Sequence, residues 1–299
     1  MKILFVGAYT ADYQCDSAFH GFRSLFGPDV VDPFRMEHMY KGCNKDGMYG
    51  RGFTLFGLIE EGQVDREDID AKIRTRYFDL VVFGSARRSQ AYQYAGKVWD
   101  AYPPEKIVFI DGEDDPDVWV DLSKRGILFK RELHKFLPDV HPIQFGFPSE
   151  KIQTILPKTH VMAPLDPIDL RTYVYESEQE YYDSYRRALF GKTMKKAGWE
   201  CMRHLEIMAC HSIPYFVGLD LCPESIMTRS PKAEMLIAKS ILEYNQGELY
   251  ETSAGQRIWE ALKEKIFAQF KEKLTTTALA TYVLDKVCQE VRGEAQLVG

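Results

Sequence analysis

The sequence predicts an α/β chain of two domains that opens in a parallel sheet and closes in helices. Three observations carry this. The first thirty residues read β-loop-α-β. Short, strongly apolar runs then alternate with helical patterns to about residue 147. The composition changes at a proline-rich stretch, and from Pro231 the pattern is nearly all helix, ending around Val291. At 299 residues the chain has room for two domains of roughly 150 residues each. It is 45% hydrophobic, 13% aromatic and 27% charged, which excludes a disordered or fibrous chain. The net charge of −6 argues against tight nucleic-acid binding through phosphate neutralisation, and leaves room for a local basic cleft. No apolar run is long enough to span a membrane. The apolar start Met1 to Gly7 is too short for a signal peptide. Cys15, Cys43, Cys201, Cys210, Cys222 and Cys288 are scattered without a CxxC pair. This points away from a zinc knuckle or disulfide framework and toward a reducing, cytoplasmic location.

Lys2 to Val6 is a buried strand bounded by Gly7. A polar loop leads to Asp16, a candidate cap for a helix with Ala18, Phe19, Phe22, Leu25 and Phe26 at helical spacing. Gly27-Pro28 stops that helix, and Val30-Val31 opens a second strand. Tyr40 to Gly62 holds six glycines and little periodicity, so it reads as a long loop near a ligand. Asp65 to Arg76 is helical and polar. Strands follow at Phe78 to Gly84, Lys106 to Ile110, Ile127 to Phe129 and Ile143 to Phe145. The stretch from Pro148 to Pro167, with four prolines, is the expected linker. Beyond it come a helix from Glu178 to Leu189 capped by Ser177, a Gly/Lys-rich loop, a helix from Trp199 to Cys210, and a short strand from Ile213 to Val217.

The most informative segment runs from Phe190 to Pro214. A loop with Gly191 and Gly198 leads into a helix N-terminus, where backbone N–H groups with Lys192 and Lys195 nearby form an anion site. Arg203 and Glu206 are three apart and share a helix face. Arginine grips a phosphate bidentately, and a carboxylate accepts both hydroxyls of a ribose. Together they suit a nucleoside diphosphate. The same residues also read as a surface salt bridge beside a lysine-rich loop.

Arg203-x-x-Glu206-Ile207-Met208-Ala209-x-x-Ser212-Ile213-Pro214 resembles the donor-site motif of exostosin-like glycosyltransferases of the GT-B type, over residues 184–223. There the pattern is R-x-x-E-A-x-x-x-G-C-I-P, approached through an aromatic–small–basic segment and a glycine loop, which Phe190 and Gly198 fit. The chain departs from it at Ile207, and at His211 and Ser212, where the family usually has Gly-Cys. The resemblance implies two Rossmann-like domains facing across a cleft, residues 1–150 for the acceptor and 151–299 for the nucleotide-sugar donor. It implies that Arg203 with Lys192 or Lys195 binds the diphosphate, and Glu206 the ribose.

Other residues keep two readings. His204 and His211 lie seven apart with no third ligand placed, so a hydrogen-bonding role for His204 beside the donor phosphate is favoured over a metal. Asp111 to Asp115 follows a strand, where a solvated turn, an acceptor-hydroxyl site and a divalent-cation site all fit. Asp16 and His20 lie four apart on the first helix. In a GT-B enzyme that region faces the cleft, so they are the candidates for the general base, or else a cap and a surface residue. Lys130 and Arg131 either reach an anion across the cleft or form a solvated charge run. Tyr181, Tyr182 and Tyr185 either stack a nucleobase or pack in the core.

The sequence therefore points to a metal-independent GT-B glycosyltransferase. It would use a nucleotide sugar as co-substrate, need no resident cofactor, and transfer to a hydroxyl on a glycan, a small molecule or a modified DNA base. A phage-type enzyme acting on a modified DNA base, and a nucleotide- or sugar-binding module without turnover, are the alternatives.

Overall fold

The computed structural model describes residues 1–244 and 252–297, so residues 245–251, within the stretch expected to be helical, lie outside the described residues. Two parallel sheets form two bodies. The first is six-stranded: β1 (Ile3–Val6), β2 (Val30–Val31), β3 (Leu80–Phe83), β4 (Ile107–Asp111), β5 (Ile127–Lys130) and β6 (Val140–Pro142), in the order β2-β1-β3-β4-β5-β6. The second has three strands, β7 (His160–Met162), β8 (Ala188–Met194) and β9 (Ile213–Val217), in chain order. This is the expected mixed α/β architecture with helices at the C-terminus.

Burial on both faces explains why the strands read as continuous apolar runs. Ile3 and Phe5 point into a core shared with α1 (Tyr13–Phe26), while Leu4 and Val6 point into one shared with α2 (Ile69–Arg74) and α3 (Tyr92–Ala101). Side chains alternate with period two, so each strand feeds both cores. The second body packs α4 (Glu178–Arg186), α5 (Met202–Ala209), α6 (Lys232–Tyr244) and α7 (Ser253–Lys273) around Phe190, Ile207, Ile213, Phe216 and Phe270. Ser177 caps α4 in a capping box with Glu180.

The last helix, α8 (Thr276–Leu297), returns to the first body: Leu279, Ala280 and Val283 join the core of Phe19 and Phe22. The chain thus crosses between the bodies twice, and the crossings touch. Phe147 N–H donates to the Leu274 carbonyl at 2.8 Å, and Thr276 N–H donates to the Phe147 carbonyl at 2.9 Å. Gly21 is required here, since a Cβ would stand 2.0 Å from the Thr276 carbonyl oxygen.

Several local expectations shift. The cap of α1 is Asp12, which accepts from Gln14 and Cys15 N–H, so Asp16 falls within the first turn and is buried. The strand expected at 143–145 lies at Val140–Pro142. The proline-rich stretch is more than a linker, since it contains β7. Gly191 and Lys192 belong to β8 rather than to a loop: a Cβ on Gly191 would stand 2.7 Å from Ile207, so glycine lets α5 pack on the strand. Helix α5 begins at Met202, because Trp199 and Glu200 N–H point to Glu132 instead of entering a helix.

Candidate functional site

Parallel sheets gather their functional loops at the carboxyl ends of the strands, above all where the strand order reverses. In the first body that reversal lies between β1 and β3. The loops following β1, β3, β4 and β5 bring Asp12, Arg88, Gly112 to Asp114, and Arg131 to one cavity of about 840 Å³. The second body closes it with Leu165, Tyr173 and Tyr175 after β7, Tyr181 on α4, and the segment Lys196 to Glu206 after β8. The segment from Met48 to Phe53 forms a third wall. The volume falls within the range of roughly 300–1,000 Å³ usual for small-molecule sites.

Arg203 is the focus of the second body's side of the cavity. Its Nη2 donates to the Tyr173 hydroxyl at 2.6 Å, and Tyr173 lies under the guanidinium, 5.4 Å from it to the ring centre. Its Nε and Nη1 are buried and have no hydrogen-bond partner among the described residues. Two buried, unpaired donor nitrogens on a cation are costly and suit an anion. Beside it, α5 begins at Cys201 without a side-chain cap, and Cys201, Met202 and Arg203 all line the cavity. Uncapped N–H groups add positive potential at the same place.

Glu206 lines the same cavity and is buried. Its Oε1 accepts from the Thr54 hydroxyl and its Oε2 from the Tyr181 hydroxyl, each at 2.5 Å. Burial pushes its pKa up; the hydrogen bonds from Thr54 and Tyr181, and nearby Arg203, pull it back. A carboxylate has about four acceptor positions, so the occupied ones leave capacity for a diol. Thr54 is itself constrained: a β-branched residue with φ of 69° whose N–H donates to Glu178 at 2.6 Å.

The remaining expected residues divide. Gly198 lines the cavity, and a Cβ there would stand 2.6 Å from carboxylate oxygens of both Asp114 and Glu132, which would have to shift. His204 is buried away from it, with Nε2 donating to the Trp199 carbonyl at 3.0 Å and Nδ1 bonded to the Thr193 hydroxyl at 2.8 Å. It shapes the loop instead of touching a ligand. His211 bonds the Gln153 carbonyl and stacks on Phe267, remote from His204's partners. Lys192 pairs with Asp166 at 2.6 Å, and Lys195 sits over Trp199 at 5.3 Å; neither lines the cavity. The lysine that does is Lys196, bonded to the Pro167 carbonyl. Lys192 lies on β8, and Lys195 and Lys196 in the loop that follows it, where only Lys196 lines the cavity.

Asp16 and His20 are the clearest correction. Neither lines the cavity. Asp16 bonds His38 at 2.8 Å, and burial raises its pKa to about 6 against the pull of His38. His20 bonds Thr276 and Glu150, each at 2.9 Å, so it pins the two chain crossings. The carboxylate that reaches the cavity from this helix is Asp12, one turn earlier. It accepts from the Ser85 hydroxyl at 2.8 Å as well as capping α1.

The acidic turn is held by cations. Asp111 and Asp115 pair with Arg87 at 2.8 and 2.9 Å, Glu113 with Arg88 at 3.1 Å, and Asp114 with Arg131. Lys130 is fully buried and bonds the Glu113 carbonyl at 2.8 Å, while Arg131 reaches across to the Glu200 carbonyl at 3.2 Å; this pair is no solvated charge run. Among the described residues no group of three or more His, Cys, Asp or Glu is placed to hold a metal ion. Tyr182 and Tyr185 are core, and Tyr181 alone of that stripe lines the cavity. All six cysteines are free.

No protein-family model matches the chain. No curated protein matches it. Among solved structures it is similar to an alpha-glucosyltransferase in complex with UDP and a 13-mer DNA containing an HMU base. The two share 11% identity at a TM-score of 0.49, over 96% of this chain and 99% of the other. No described helix is long and apolar enough to cross a membrane.

Proposed function

We propose that the protein is a glycosyltransferase that moves a sugar from a nucleoside-diphosphate donor to an acceptor hydroxyl. The observation that carries this is Arg203: a half-buried arginine whose Nε and Nη1 are buried and unpaired, beside an uncapped helix start and one turn from Glu206, in a cavity walled by both bodies. In this reading Arg203, Lys196 and the start of α5 neutralise the departing diphosphate. Glu206 takes the ribose hydroxyls on the acceptor positions that Thr54 and Tyr181 leave free. Asp12, which follows β1 on the opposite wall, is the carboxylate that faces the acceptor and takes its proton. The exostosin-like pattern supports the reading at one of its departures. His211 stands where that family usually has glycine, and its φ is 54°, the left-handed region that favours glycine.

A thermal-shift screen against nucleoside diphosphates and nucleotide sugars tests it, because a ligand bound only by the folded chain raises the melting temperature by mass action. One nucleoside diphosphate should stabilise the protein well beyond its nucleoside. Transfer is then measured with that donor and a panel of hydroxyl acceptors, including hydroxymethylated-base DNA, in excess chelator. Stabilisation by no nucleotide rejects the reading. Binding without transfer or donor hydrolysis assigns a binding module. Complete loss of transfer in chelator, restored by metal, rejects the metal-independent mechanism.

A further inference from the structure

The cavity contains a second cation with nothing to bind. Arg51 lines it from the segment between Gly47 and Gly57, is exposed, and has no side-chain hydrogen-bond or ion-pair partner among the described residues. The other arginines brought there from the first body are committed, Arg88 to Glu113 at 3.1 Å and Arg131 to Asp114 and the Gly112 carbonyl. The backbone around Arg51 is unusual. Gly50, Arg51 and Gly52 have φ of 59°, 56° and 67°, three left-handed residues in a row. Glycine adopts this freely, whereas an arginine there is strained by its Cβ. Strain kept at a residue whose side chain forms no hydrogen bond or ion pair among the described residues points to a partner outside the protein.

Charge supplies the second argument. The cavity is lined by five cationic side chains, Arg51 among them, and by five carboxylates. Without Arg51 the lining has no surplus of cations over carboxylates to meet a diphosphate. Arg203 and the start of α5 lie on the other body, so the first body's side of the diphosphate would otherwise lack an uncommitted cation. The segment is also tied to the ribose position. Three residues after Arg51, Thr54 donates to Glu206, the carboxylate assigned to the ribose.

We infer that Arg51 is a phosphate ligand of the donor, supplied by the first body opposite Arg203, so that the diphosphate is gripped from both bodies. This rests on the donor-site reading above. It makes the glycine-rich segment part of the binding site, and it couples donor occupancy to the position of that segment through Thr54 and Glu206.

The test compares the parent with Arg51→Gly and Arg51→Lys by calorimetry, using UDP, GDP, ADP, CDP and dTDP with their nucleosides as diphosphate-free controls. Arg51→Gly removes the side chain and keeps the left-handed backbone, so its melting temperature should equal or exceed the parent's. It should bind the preferred diphosphate roughly tenfold or more weakly, with nucleoside binding unchanged. Arg51→Lys should restore part of the loss, since lysine returns the charge without the fork. Diphosphate binding by Arg51→Gly as tight as the parent's overturns this inference alone, and so does an equal loss for diphosphate and nucleoside. A parent that binds none of the diphosphates overturns the donor-site reading and this inference with it.

Discussion

Arg203 and Glu206 are adjacent in one cavity but are satisfied differently. The carboxylate is bonded by two hydroxyls, while the guanidinium keeps two donors unpaired. A protein built only for stability would leave no such cation, since a buried charge lacking full partners is destabilising. Arg203→Met should therefore do two things at once. It should weaken nucleoside diphosphate binding by about one to two orders of magnitude, from the loss of a charge-assisted contact worth roughly 1.5–3 kcal/mol. It should also leave the unliganded protein equally or more stable to heat. Glu206→Ala should behave in the opposite sense: stability falls, because the Thr54 and Tyr181 hydroxyls lose their acceptor, and nucleoside and diphosphate binding weaken together. Calorimetry and thermal unfolding on both variants check this. If Arg203→Met melts well below the parent and binds diphosphate normally, the arginine is structural.

At the scale of elements, close packing is bought by glycine at α1 and at the second crossing. A Cβ on Gly21 would stand 2.0 Å from the Thr276 carbonyl oxygen, and one on Gly146 would stand 2.7 Å from the Thr276 Cα. Both neighbours are backbone at the start of α8 and cannot rotate away. Gly21→Ala is expected to lose about 1–3 kcal/mol or more from overpacking. Gly96, in the exposed part of α3, has open space where its Cβ would be. Gly96→Ala is expected to gain about 0.5–1 kcal/mol, because alanine orders a helix interior at lower entropic cost. Urea unfolding of the two variants should move the midpoint in opposite directions. Equal midpoints would mean that α8 does not pack on α1 as described.

At the scale of the whole molecule, Glu200 links the two bodies. It lies in the loop before α5, and its carboxylate accepts from Phe145 N–H at 3.0 Å and from the Gln144 side chain at 3.3 Å, near the first crossing. Burial raises its pKa to about 7, against the pull of Arg131. A carboxyl with a raised folded-state pKa holds its proton longer folded than unfolded. Its contribution to stability is thus fully present below its ordinary pKa of about 4.5 and is lost as pH rises toward 7. Asp16, raised to about 6, acts in the same direction over a lower window. Stability measured by urea unfolding from pH 4.5 to 8 should carry a falling component, and Glu200→Gln should flatten its upper part. An unchanged slope in Glu200→Gln would show that this carboxyl does not titrate there.

The sequence by itself determined much of the local structure and placed the Arg203–Glu206 pair on one helix face. Strands β1, β3, β4, β5 and β9, the helix capped by Ser177, and the Arg203–Glu206 pair were all legible, because apolar runs, capping boxes and i,i+3 spacing are set by nearby residues. Tertiary structure decided which of the chemically apt groups face a common space. Asp12 rather than Asp16, and Lys196 rather than Lys192 or Lys195, line the cavity, because one helical turn, or one residue in the loop after β8, redirects a side chain. The glycine-rich segment from Tyr40 to Gly62 was legible as a loop near a ligand, but nothing local singled out Arg51 within it, nor Tyr173 or Glu200. These three enter the site because segments more than 100 residues apart fold against one another, and only that long-range packing leaves Arg203 with unpaired donors at a place where an anion fits.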